Sequence, residues 1–340
     1  MTDTRQVENV IIVGGGPAGY TAALYTARAD LEPLVIEGFM WGGLLQQTTD
    51  VENYPGYAQG VLGPQMMQDF RDQAERFGTR FVTEDATRIE LGRDGGLHHV
   101  WLGERELRAR TLVLAMGAEP KKLGVPGEED LAARGLSYCA TCDAAFFRGK
   151  PTIVVGGGDT AMEDATFLSK FASSVAIVHR RNEFRASAIM LQKAREIENI
   201  ELLTPYLVER FEAGEDGSMA RAVLRAADDG RERSLEIDGA FVAIGHRPNS
   251  ALVEGQVRTD ANGYVQVEDR STRTGVPGVF AAGDLTDHVY RQAVTAAGTG
   301  CMAALDAEAY LRDVPTDAEA HWTPDPDKVE ARAAEAAASS

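Results

Sequence analysis

Residues 10–19 read V-I-I-V-G-G-G-P-A-G, and residues 153–161 read I-V-V-G-G-G-D-T-A. Each stretch begins with an apolar run typical of a buried strand, passes through three consecutive glycines, and leads into a segment with helical spacing. A glycine turn between a strand and a helix lets the backbone approach a pyrophosphate, which the helix N-terminus stabilises. The repetition therefore predicts two dinucleotide-binding modules of the same design within one chain.

The first module is predicted to hold an adenosine without a phosphate on its ribose. The strand-forming residues 34–36 end at Glu37, roughly twenty residues beyond the glycines, where a carboxylate accepts hydrogen bonds from a ribose diol. FAD and NAD both carry such an adenosine, and these residues do not choose between them. The expected contacts in this module are Glu37 and the turn residues Gly14, Gly16, Pro17, Ala18 and Gly19.

The second module differs at the position that reads the ribose. Its second strand, residues 175–178, is followed by the basic residues His179, Arg180 and Arg181, with Arg185 just beyond, and no carboxylate stands there. Cationic groups at this position suit a ribose 2′-phosphate, so the sequence favours NADPH over NADH. The turn itself supplies the remaining expected contacts, which are Gly156, Gly158, Asp159 and Thr160.

A third element indicates a flavin on the first module. Residues 279–282 form a short apolar run that leads to Asp284, and a long helix is predicted from about Arg291. The carboxyl of Asp284 is suited to bind a ribitol, and the N-terminus of the helix is suited to face the electron-rich pyrimidine edge of a flavin. The pattern therefore favours FAD in the first module. The residues expected to contact it here are Gly283, Asp284, Arg291, Gln292 and Ala293.

Two of the three cysteines form the C-x-x-C motif from Cys139 to Cys142, which Asp143 follows. Three cysteines in a long chain are too few for a disulfide scaffold, so the motif indicates redox chemistry or metal binding. A structural zinc site needs two further Cys or His ligands at matching spacing, which neither Cys301 nor the six histidines provide. We therefore expect no metal and a redox-active pair beside Asp143 as general acid or base, with inert thiols as the alternative. Cys301, inside the last helix, is expected to be a packed core thiol.

Composition restricts the partners and the location. The 340 residues include 52 Asp and Glu against 34 Lys and Arg, a formal net charge of −18, which repels nucleic acid and anionic membranes. No apolar run is long enough to cross a bilayer, and the polar N-terminus lacks the features of a signal peptide. We therefore expect a cytoplasmic protein without a nucleic-acid or membrane partner.

Chain order predicts that the second module is inserted into the first. Turn clusters at residues 117–120 and 245–249 bracket the second module as two crossings between domains. The predicted fold class is α/β, with two Rossmann-like dinucleotide-binding domains. Each is expected to have a three-layer ββα architecture, in which two β layers and one helical layer pack together. The predicted domains are a FAD-binding domain at residues 1–118 and 249–314, an NADPH-binding domain carrying the C-x-x-C motif at residues 119–248, and an acidic, alanine-rich tail at residues 315–340.

Together these motifs resemble the low-molecular-weight thioredoxin reductases, a class of pyridine-nucleotide disulfide oxidoreductases. The match runs in order from about residue 10 to residue 311 and includes the stretch D-V-E-N-Y-P-G at residues 50–56. The resemblance implies that Cys142 exchanges electrons with the flavin, that Cys139 attacks the disulfide of thioredoxin, and that Asp143 donates the proton. It also implies FAD contacts from Gly43 and Asn53, and a homodimer.

The resemblance implies hydride transfer from NADPH to FAD, then electron transfer to the Cys139–Cys142 disulfide, then exchange with a protein disulfide. Because the C-x-x-C motif and the NADPH turn lie on the inserted domain, we expect that domain to rotate about the two crossings. Two enzyme alternatives remain, namely a related flavoprotein reductase for another disulfide and a dithiol oxidase, which would not need Arg180 and Arg181. A flavin-binding redox sensor, the non-enzyme alternative, would not need an intact nicotinamide site.

Overall fold

The computed structural model describes residues 7–93 and 95–313, and these form two compact units. The first unit contains the described residues up to Gln46, Gln65–Gly117 and those from Pro248 onward. The second unit contains Gln47–Pro64 and Ala118–Arg247. The predicted α/β class, with one Rossmann-like unit inserted into another, is confirmed. The predicted tail at residues 315–340 lies outside the described residues.

Helices and strands alternate along the chain in the order that the two glycine turns predict. Before residue 118 the chain forms β1 (Val7–Val13), α1 (Pro17–Arg28), β2 (Leu34–Ile36), β3 (Asp50–Val51), β4 (Val61–Leu62), α2 (Gly63–Arg76), β5 (Arg80–Val82), β6 (Arg88–Glu90), β7 (His98–Leu102) and β8 (Arg105–Leu114). The next part forms β9 (Ala118–Pro120), β10 (Leu136–Ser137), α3 (Ala140–Asp143), β11 (Pro151–Val155), α4 (Asp159–Leu168), β12 (Ser174–Val178), α5 (Ala188–Arg195), β13 (Ile200–Leu203), β14 (Tyr206–Ala213), β15 (Met219–Ala226), β16 (Glu232–Glu236), β17 (Gly239–Val242) and β18 (His246–Pro248). The last elements are β19 (Val279–Ala281) and α6 (Ala293–Asp313). Short 3-10 helices cover Gly43–Gln47, Ala144–Phe147, Ala251–Val253 and Gly283–Leu285.

Strand β8 connects the two β layers of the first unit. Its first five residues pair antiparallel with β7, and its last three pair in parallel with β19. The parallel part of the sheet has the order β5-β2-β1-β8-β19, and β6 extends the antiparallel arm beyond β7. Helices α1 and α6 pack against each other and against this sheet. The result is the predicted three-layer arrangement of helices, parallel sheet and antiparallel arm.

Alternate residues of β1 enter two different cores. Ile11 and Val13 pack with residues of β6 and β7, whereas Val10 and Ile12 pack with residues of α1 and α6. All four side chains are at most 4% exposed. Because successive side chains of a strand point to opposite faces, a strand buried on both faces is apolar throughout. This explains the uninterrupted apolar run from which the strand was predicted.

The second unit repeats this plan with a five-stranded parallel sheet of order β10-β17-β11-β12-β13 and a separate antiparallel meander, β14-β15-β16. The sequence suggests one meander from residue 200 to residue 244, and that prediction is wrong at both ends. Strand β13 pairs in parallel with β12, and β17 lies between β10 and β11. All four residues of β17 are buried, which is typical of a central parallel strand and not of a half-exposed meander.

His98 is a buried, uncharged histidine in β7. Its side chain has no exposed surface, and its Nδ1 accepts a hydrogen bond of 3.1 Å from the amide of Gly92. Burial, followed by the neighbouring His99, lowers the pKa of His98 from 6.5 to about 4. Between these two values the unfolded chain binds more protons than the folded chain. Protonation of this side chain therefore favours unfolding as the pH falls from 6.5 toward 4.

We expect His98→Asn to flatten this acid dependence, because Asn Oδ1 can still accept the Gly92 hydrogen bond but carries no titratable group. The His98 pKa shift predicts that acidification through this window removes about 3 kcal/mol from the free energy of unfolding of the unaltered chain. Urea unfolding of both proteins at about pH 7 and about pH 4.5 measures the difference. Equal losses in the two proteins would contradict this assignment.

Candidate functional site

The first glycine turn joins β1 to α1, and its glycines meet different steric constraints. Gly14 has φ +123°, and a Cβ there would lie 2.1 Å from a backbone carbonyl oxygen. A Cβ on Gly19 would lie 1.9 Å from the Gly14 carbonyl oxygen, so α1 packs closely on the turn. A Cβ on Gly16 would meet no atom within 4 Å. Gly16 therefore borders open space at the N-terminus of α1, which fits the approach of a pyrophosphate.

Some neighbouring residues border this open space, and others pack within or against α1. Pro17 takes the first position of α1, where its missing N–H costs nothing. A Cβ on Gly43 would lie 3.5 Å from the Gly16 Cα, so the loop at Gly43 borders the same space. Ala18 is 4% exposed, and a Cβ on Gly300 of α6 would lie 2.1 Å from its carbonyl oxygen. Ala18 thus serves the close contact between α1 and α6.

Glu37 follows β2, and three protein side chains hold its carboxylate, which is 1% exposed. Tyr20 Oη and Thr83 Oγ1 donate hydrogen bonds of 2.9 and 2.7 Å. Arg71 of α2 donates two more, from Nε at 3.0 Å and from Nη2 at 3.2 Å. Burial, and then the charge of Glu37, raise the pKa of Tyr20.

These donors occupy the roughly four lone-pair sites of the Glu37 carboxylate. A ribose diol that reached Glu37 would therefore have to replace a protein donor, and Arg71 makes the longest of the bonds. Arg71 and Thr83 are partners of this predicted contact that the sequence did not indicate, because they lie 34 and 46 residues from Glu37.

Asp284 lies in the 3-10 helix after β19, and one of its carboxylate oxygens is buried without a hydrogen-bond donor among the described residues. Its Oδ1 has no hydrogen-bond partner among residues 7–93 and 95–313. Burial, and then Asp287, raise the pKa of this carboxyl to about 6, although Arg291 acts in the opposite direction. Buried polar atoms in proteins are normally hydrogen-bonded, and the hydroxyl of a ribitol chain would supply the missing donor. The position of Asp284 therefore fits the expected flavin contact.

Residues 291–293 lead from the Asp284 loop into α6. Arg291 has φ +48°, its amide donates to Asp287 Oδ2 at 2.9 Å, and its guanidinium donates to the His288 carbonyl oxygen. The Gln292 carbonyl oxygen accepts the Ala296 amide at 2.9 Å, as a residue just before a helix does. The predicted helix is confirmed, but it begins at Ala293 because the left-handed backbone of Arg291 cannot be helical.

The second glycine turn joins β11 to α4 and repeats the close packing and the open space of the first. A Cβ on Gly156 would lie 2.4 Å from a backbone carbonyl oxygen, and a Cβ on Gly158 would meet no atom within 4 Å. Asp159 and Thr160 are exposed at the start of α4, and Asp159 Oδ1 accepts the Ser187 amide at 2.6 Å. Open space beside Gly158 again fits a pyrophosphate at a helix N-terminus.

His179 follows β12 and packs on this turn. It is 8% exposed, and its ring stacks on Phe184 with 5.1 Å between centroids. A Cβ on Gly157 would lie 2.3 Å from the His179 ring, so only glycine permits this packing. Burial lowers the pKa of His179, and the charges of three nearby arginines lower it further. His179 is therefore uncharged at neutral pH and adds no positive charge for a phosphate.

The positive charge comes from Arg180, Arg181 and Arg185, whose side chains are exposed. In the part of the chain that the structure describes, none of these three guanidinium groups has a hydrogen-bond or ion-pair partner. The Arg185 amide donates to the Gly157 carbonyl oxygen at 2.7 Å, which fixes this segment beside the turn. Unpaired guanidinium groups next to a dinucleotide turn are suited to bind a phosphate.

Cys139 and Cys142 form a disulfide, with 5.3 Å between their Cα atoms. Cys139 precedes α3, and the Cys142 amide donates to Cys139 Sγ at 3.2 Å. Cys142 is exposed, whereas Cys139 is half-buried. Once the disulfide opens, an amide directed at the Cys139 sulfur would stabilise a thiolate on that residue. The structure thus brings the two thiols together as the motif predicts.

Asp143 ends α3, and its carboxyl is partly buried beside the disulfide. The hydroxyl of Ser137 donates to Asp143 Oδ2 at 2.5 Å. Burial raises the pKa of the Asp143 carboxyl, and the Ser137 hydrogen bond lowers it. A carboxyl whose pKa lies closer to neutrality than usual is suited to proton exchange with a thiol. Ser137 is a further residue of this site that the motif did not reveal.

Two remaining predicted residues lie elsewhere. Asn53 is exposed on the loop after β3, within the part of the second unit that precedes α2. Cys301 lies in α6 but is partly exposed, and its thiol interacts with the hydroxyl of Tyr25 in α1. The prediction of a packed core thiol is therefore wrong, because residue 301 lies at the edge of α6 that meets the exposed Tyr25.

Metal and membrane features are absent from the described residues. In residues 7–93 and 95–313, no group of three or more His, Cys, Asp and Glu is arranged to hold a metal ion. Within the same residues, no helix has both the length and the apolar character needed to span a bilayer.

Comparison with known proteins gives consistent matches. Residues 8–300 match the family described as pyridine nucleotide-disulphide oxidoreductase. A thioredoxin reductase of Mycolicibacterium smegmatis is 52% identical over 313 residues, which cover 92% of this chain and 99% of that protein. Among solved structures, the thioredoxin reductase from Giardia duodenalis superposes with a TM-score of 0.85 at 38% identity, covering 90% of this chain and 100% of that one. The enzyme from Streptococcus pyogenes superposes equally well at 35% identity, covering 91% and 99%.

Proposed function

Because the chain belongs to the pyridine nucleotide-disulphide oxidoreductase family, we propose that Cys139 and Cys142 form its redox-active disulfide, whose reduced dithiol form reduces the protein substrate. The chain is an NADPH-dependent flavoprotein that reduces the disulfide of thioredoxin. The observation that carries the proposed assignment is the Cys139–Cys142 disulfide, with Asp143 beside it on the unit that holds the second glycine turn. When bound, FAD relays to this disulfide the two electrons that NADPH donates.

The first unit has the features that FAD requires. Gly16 leaves room for a pyrophosphate, and the buried Oδ1 of Asp284 lacks a donor that a ribitol would provide. The adenosine ribose would reach Glu37 by replacing one of its protein donors, of which Arg71 makes the longest bond. The residues of this unit that we propose for FAD are Gly14, Gly16, Pro17, Ala18, Gly19, Glu37, Gly43, Gly283, Asp284, Arg291, Gln292 and Ala293; Asn53, which belongs to the second unit, is proposed as a further contact.

The second unit has the features that NADPH requires. Gly158 leaves room for a pyrophosphate, and the three unpaired arginines suit the 2′-phosphate. A dithiol oxidase would have no use for such a cationic cluster, so its presence supports electron input from NADPH. The full set of residues that we propose for NADPH is Gly156, Gly158, Asp159, Thr160, His179, Arg180, Arg181 and Arg185.

The two cysteines are proposed to have different roles. Cys139, whose sulfur accepts the Cys142 amide, is the thiolate that attacks the thioredoxin disulfide. Cys142 then attacks Cys139 and restores the internal disulfide, releasing reduced thioredoxin. Asp143 donates a proton to the departing thiolate and regains one from water.

Partners and assembly follow from the same proposal. The matched relatives are named for their action on thioredoxin, and we propose a thioredoxin as the physiological partner. We also propose a homodimer in the cytoplasm. Exposed apolar side chains on α1 and α6, including Tyr25, Met302 and Leu305, support an assembly through those helices.

A trapping experiment tests the assignment of the two thiols. The variants Cys142→Ser and Cys139→Ser, both made in a Cys301→Ser background, each retain one thiol. Each is mixed with a thioredoxin that keeps one active-site cysteine as a mixed disulfide with thionitrobenzoate. We expect the variant that retains Cys139 to release thionitrobenzoate and form the covalent complex faster, because its thiolate is stabilised by an amide.

Faster trapping by the variant that retains Cys142 would contradict the assignment, and the exposure of Cys142 makes that outcome a real test. The Cys301→Ser chain with both remaining cysteines intact and oxidised serves as the control, because it has no free thiol and should release no thionitrobenzoate.

A further inference from the structure

Ser137 is the last residue of β10, and its buried hydroxyl forms hydrogen bonds with Asp143 and with the backbone of Cys139. Its Oγ lies 2.5 Å from Asp143 Oδ2. The Cys139 amide donates to the same Oγ at 3.0 Å, and the Cys139 carbonyl oxygen lies 3.3 Å from it. Ser137 is 7% exposed, so water does not compete freely for these bonds.

The Ser137 hydroxyl has one hydrogen and two lone pairs, which allows two complete arrangements. When Asp143 is ionised, the hydroxyl donates to Oδ2, the shorter of its two possible bonds, and accepts the Cys139 amide. When Asp143 is protonated, its carboxyl O–H donates to Ser137 Oγ, and the hydroxyl hydrogen turns to the Cys139 carbonyl oxygen. The Ser137 hydroxyl, Asp143 Oδ2 and the Cys139 amide are each hydrogen-bonded in both arrangements, and the Cys139 carbonyl oxygen also accepts the amides of Cys142 and Asp143.

We propose that Ser137 is a positioning residue that keeps Asp143 hydrogen-bonded in both of its protonation states and couples them to the backbone of Cys139. The inference rests on the proposed role of Asp143 as the proton donor for disulfide exchange. Ser137 acts through Asp143 and the backbone of Cys139, to which its hydroxyl is bonded.

Asp143 needs both protonation states because every reaction cycle takes up one proton from water. Reduction of a disulfide to two thiols consumes two electrons and two protons, and the hydride of NADPH brings both electrons but only one proton. The second proton comes from water in every cycle. Asp143 passes it on when its Oδ2–H bond breaks and an S–H bond forms on the departing thiolate, which leaves the carboxylate to be protonated again.

The surroundings of Asp143 leave Ser137 as its main partner. Burial raises the pKa of this carboxyl and the Ser137 bond lowers it. Of the elements that pack against α3, helix α4 carries the titratable residues Asp159, Glu163 and Asp164, and the 3-10 helix Ala144–Phe147 carries none. The reduced thiols of Cys139 and Cys142 complete the titratable groups on its own segment. Loss of Ser137 should therefore leave the carboxyl protonated to a higher pH.

Ser137→Ala tests this inference, with Ser137→Thr as the matched control that restores the hydroxyl. A hydrogen bond to a charged group has an energy equivalent to about one to two pH units. We expect the alkaline limb of thioredoxin-dependent turnover to move upward by about that amount in Ser137→Ala and to return in Ser137→Thr. A purely structural role would lower the rate without moving the limb.

An infrared measurement gives a second readout that does not depend on turnover. The protonated carboxyl band of Asp143, identified by its loss in Asp143→Asn, should persist to higher pH in Ser137→Ala than in the unaltered chain. In the unaltered chain the band should have the frequency of a hydrogen-bonded acid, which tests the inference even if Ser137→Ala fails to fold.

Two results would overturn the inference. One is a turnover limb and a carboxyl band in Ser137→Ala that match those of the unaltered chain, and the other is a Thr variant that behaves like the Ala variant. These outcomes leave the proposed function intact as long as the unaltered chain oxidises NADPH with thioredoxin and Asp143→Asn does so more slowly. Failure of the unaltered chain to turn over would instead refute the proposed function.

Discussion

We expect the double substitution of Arg180 and Arg181 by alanine to lower kcat/KM for NADPH by roughly 10²- to 10⁴-fold. Each guanidinium is exposed and has no partner among the described residues. A hydrogen bond to a charged group contributes about 1.5–3 kcal/mol, and every 1.4 kcal/mol is about tenfold in affinity. Two such losses account for the predicted range. Steady-state kinetics with NADPH measures it.

NADH provides the internal control for this variant, because it lacks the phosphate that the arginines are proposed to bind. We expect kcat/KM for NADH to change little, so the preference between the two nucleotides should nearly disappear. Arg233→Ala is a matched control on the same unit, since Arg233 is a partly exposed arginine already paired with Glu201 at 3.2 Å. An equal loss with both nucleotides in the double variant would refute the assignment of the phosphate site.

Gly16→Ala is expected to weaken FAD binding by about 10- to 100-fold while leaving the fold intact. A Cβ at this position meets no protein atom within 4 Å, so the substitution creates no clash within the chain. It does place a methyl group in the space proposed for the pyrophosphate, and such overpacking costs about 1–3 kcal/mol. Flavin titration by fluorescence, together with thermal unfolding of the FAD-free protein, measures both parts of the prediction.

Two other glycines calibrate this result. Gly298→Ala, also without protein atoms within 4 Å of the new Cβ, lies in α6 and should keep FAD affinity while stabilising the helix by about 1 kcal/mol. Gly19→Ala would place its Cβ 1.9 Å from the Gly14 carbonyl oxygen and should destabilise the protein itself. FAD affinity that is unchanged in Gly16→Ala would place the pyrophosphate elsewhere.

Much of the fold was predictable because the decisive signals are local. The apolar run of β1 reflects a strand buried on both faces, and Gly14, Gly19 and Gly156 are required by close contacts within the turn or with the end of the adjacent strand. The C-x-x-C spacing likewise fixes two thiols close enough to bond. Strands β13 and β17 were assigned to the wrong sheet because pairing with distant strands, and not local pattern, decides their place.

The details of the sites depend on contacts that sequence patterns do not reveal. Arg71 and Thr83 bond to Glu37 only because α2 and the segment after β5 return to the end of β2. The neutral state of His179 follows from its packing on Gly157 and Phe184, which its position in a basic run conceals. Ser137 precedes the C-x-x-C motif by two residues, and such proximity alone could have raised it as a candidate.

The most direct test of the account is NADPH oxidation by the FAD-loaded chain with and without oxidised thioredoxin, with NADH in parallel and Cys142→Ser as the blank. The account predicts oxidation that requires both NADPH and thioredoxin, is much slower with NADH, and is absent in the blank. Oxidation of NADPH that is the same with and without thioredoxin, or that persists in Cys142→Ser, would contradict it.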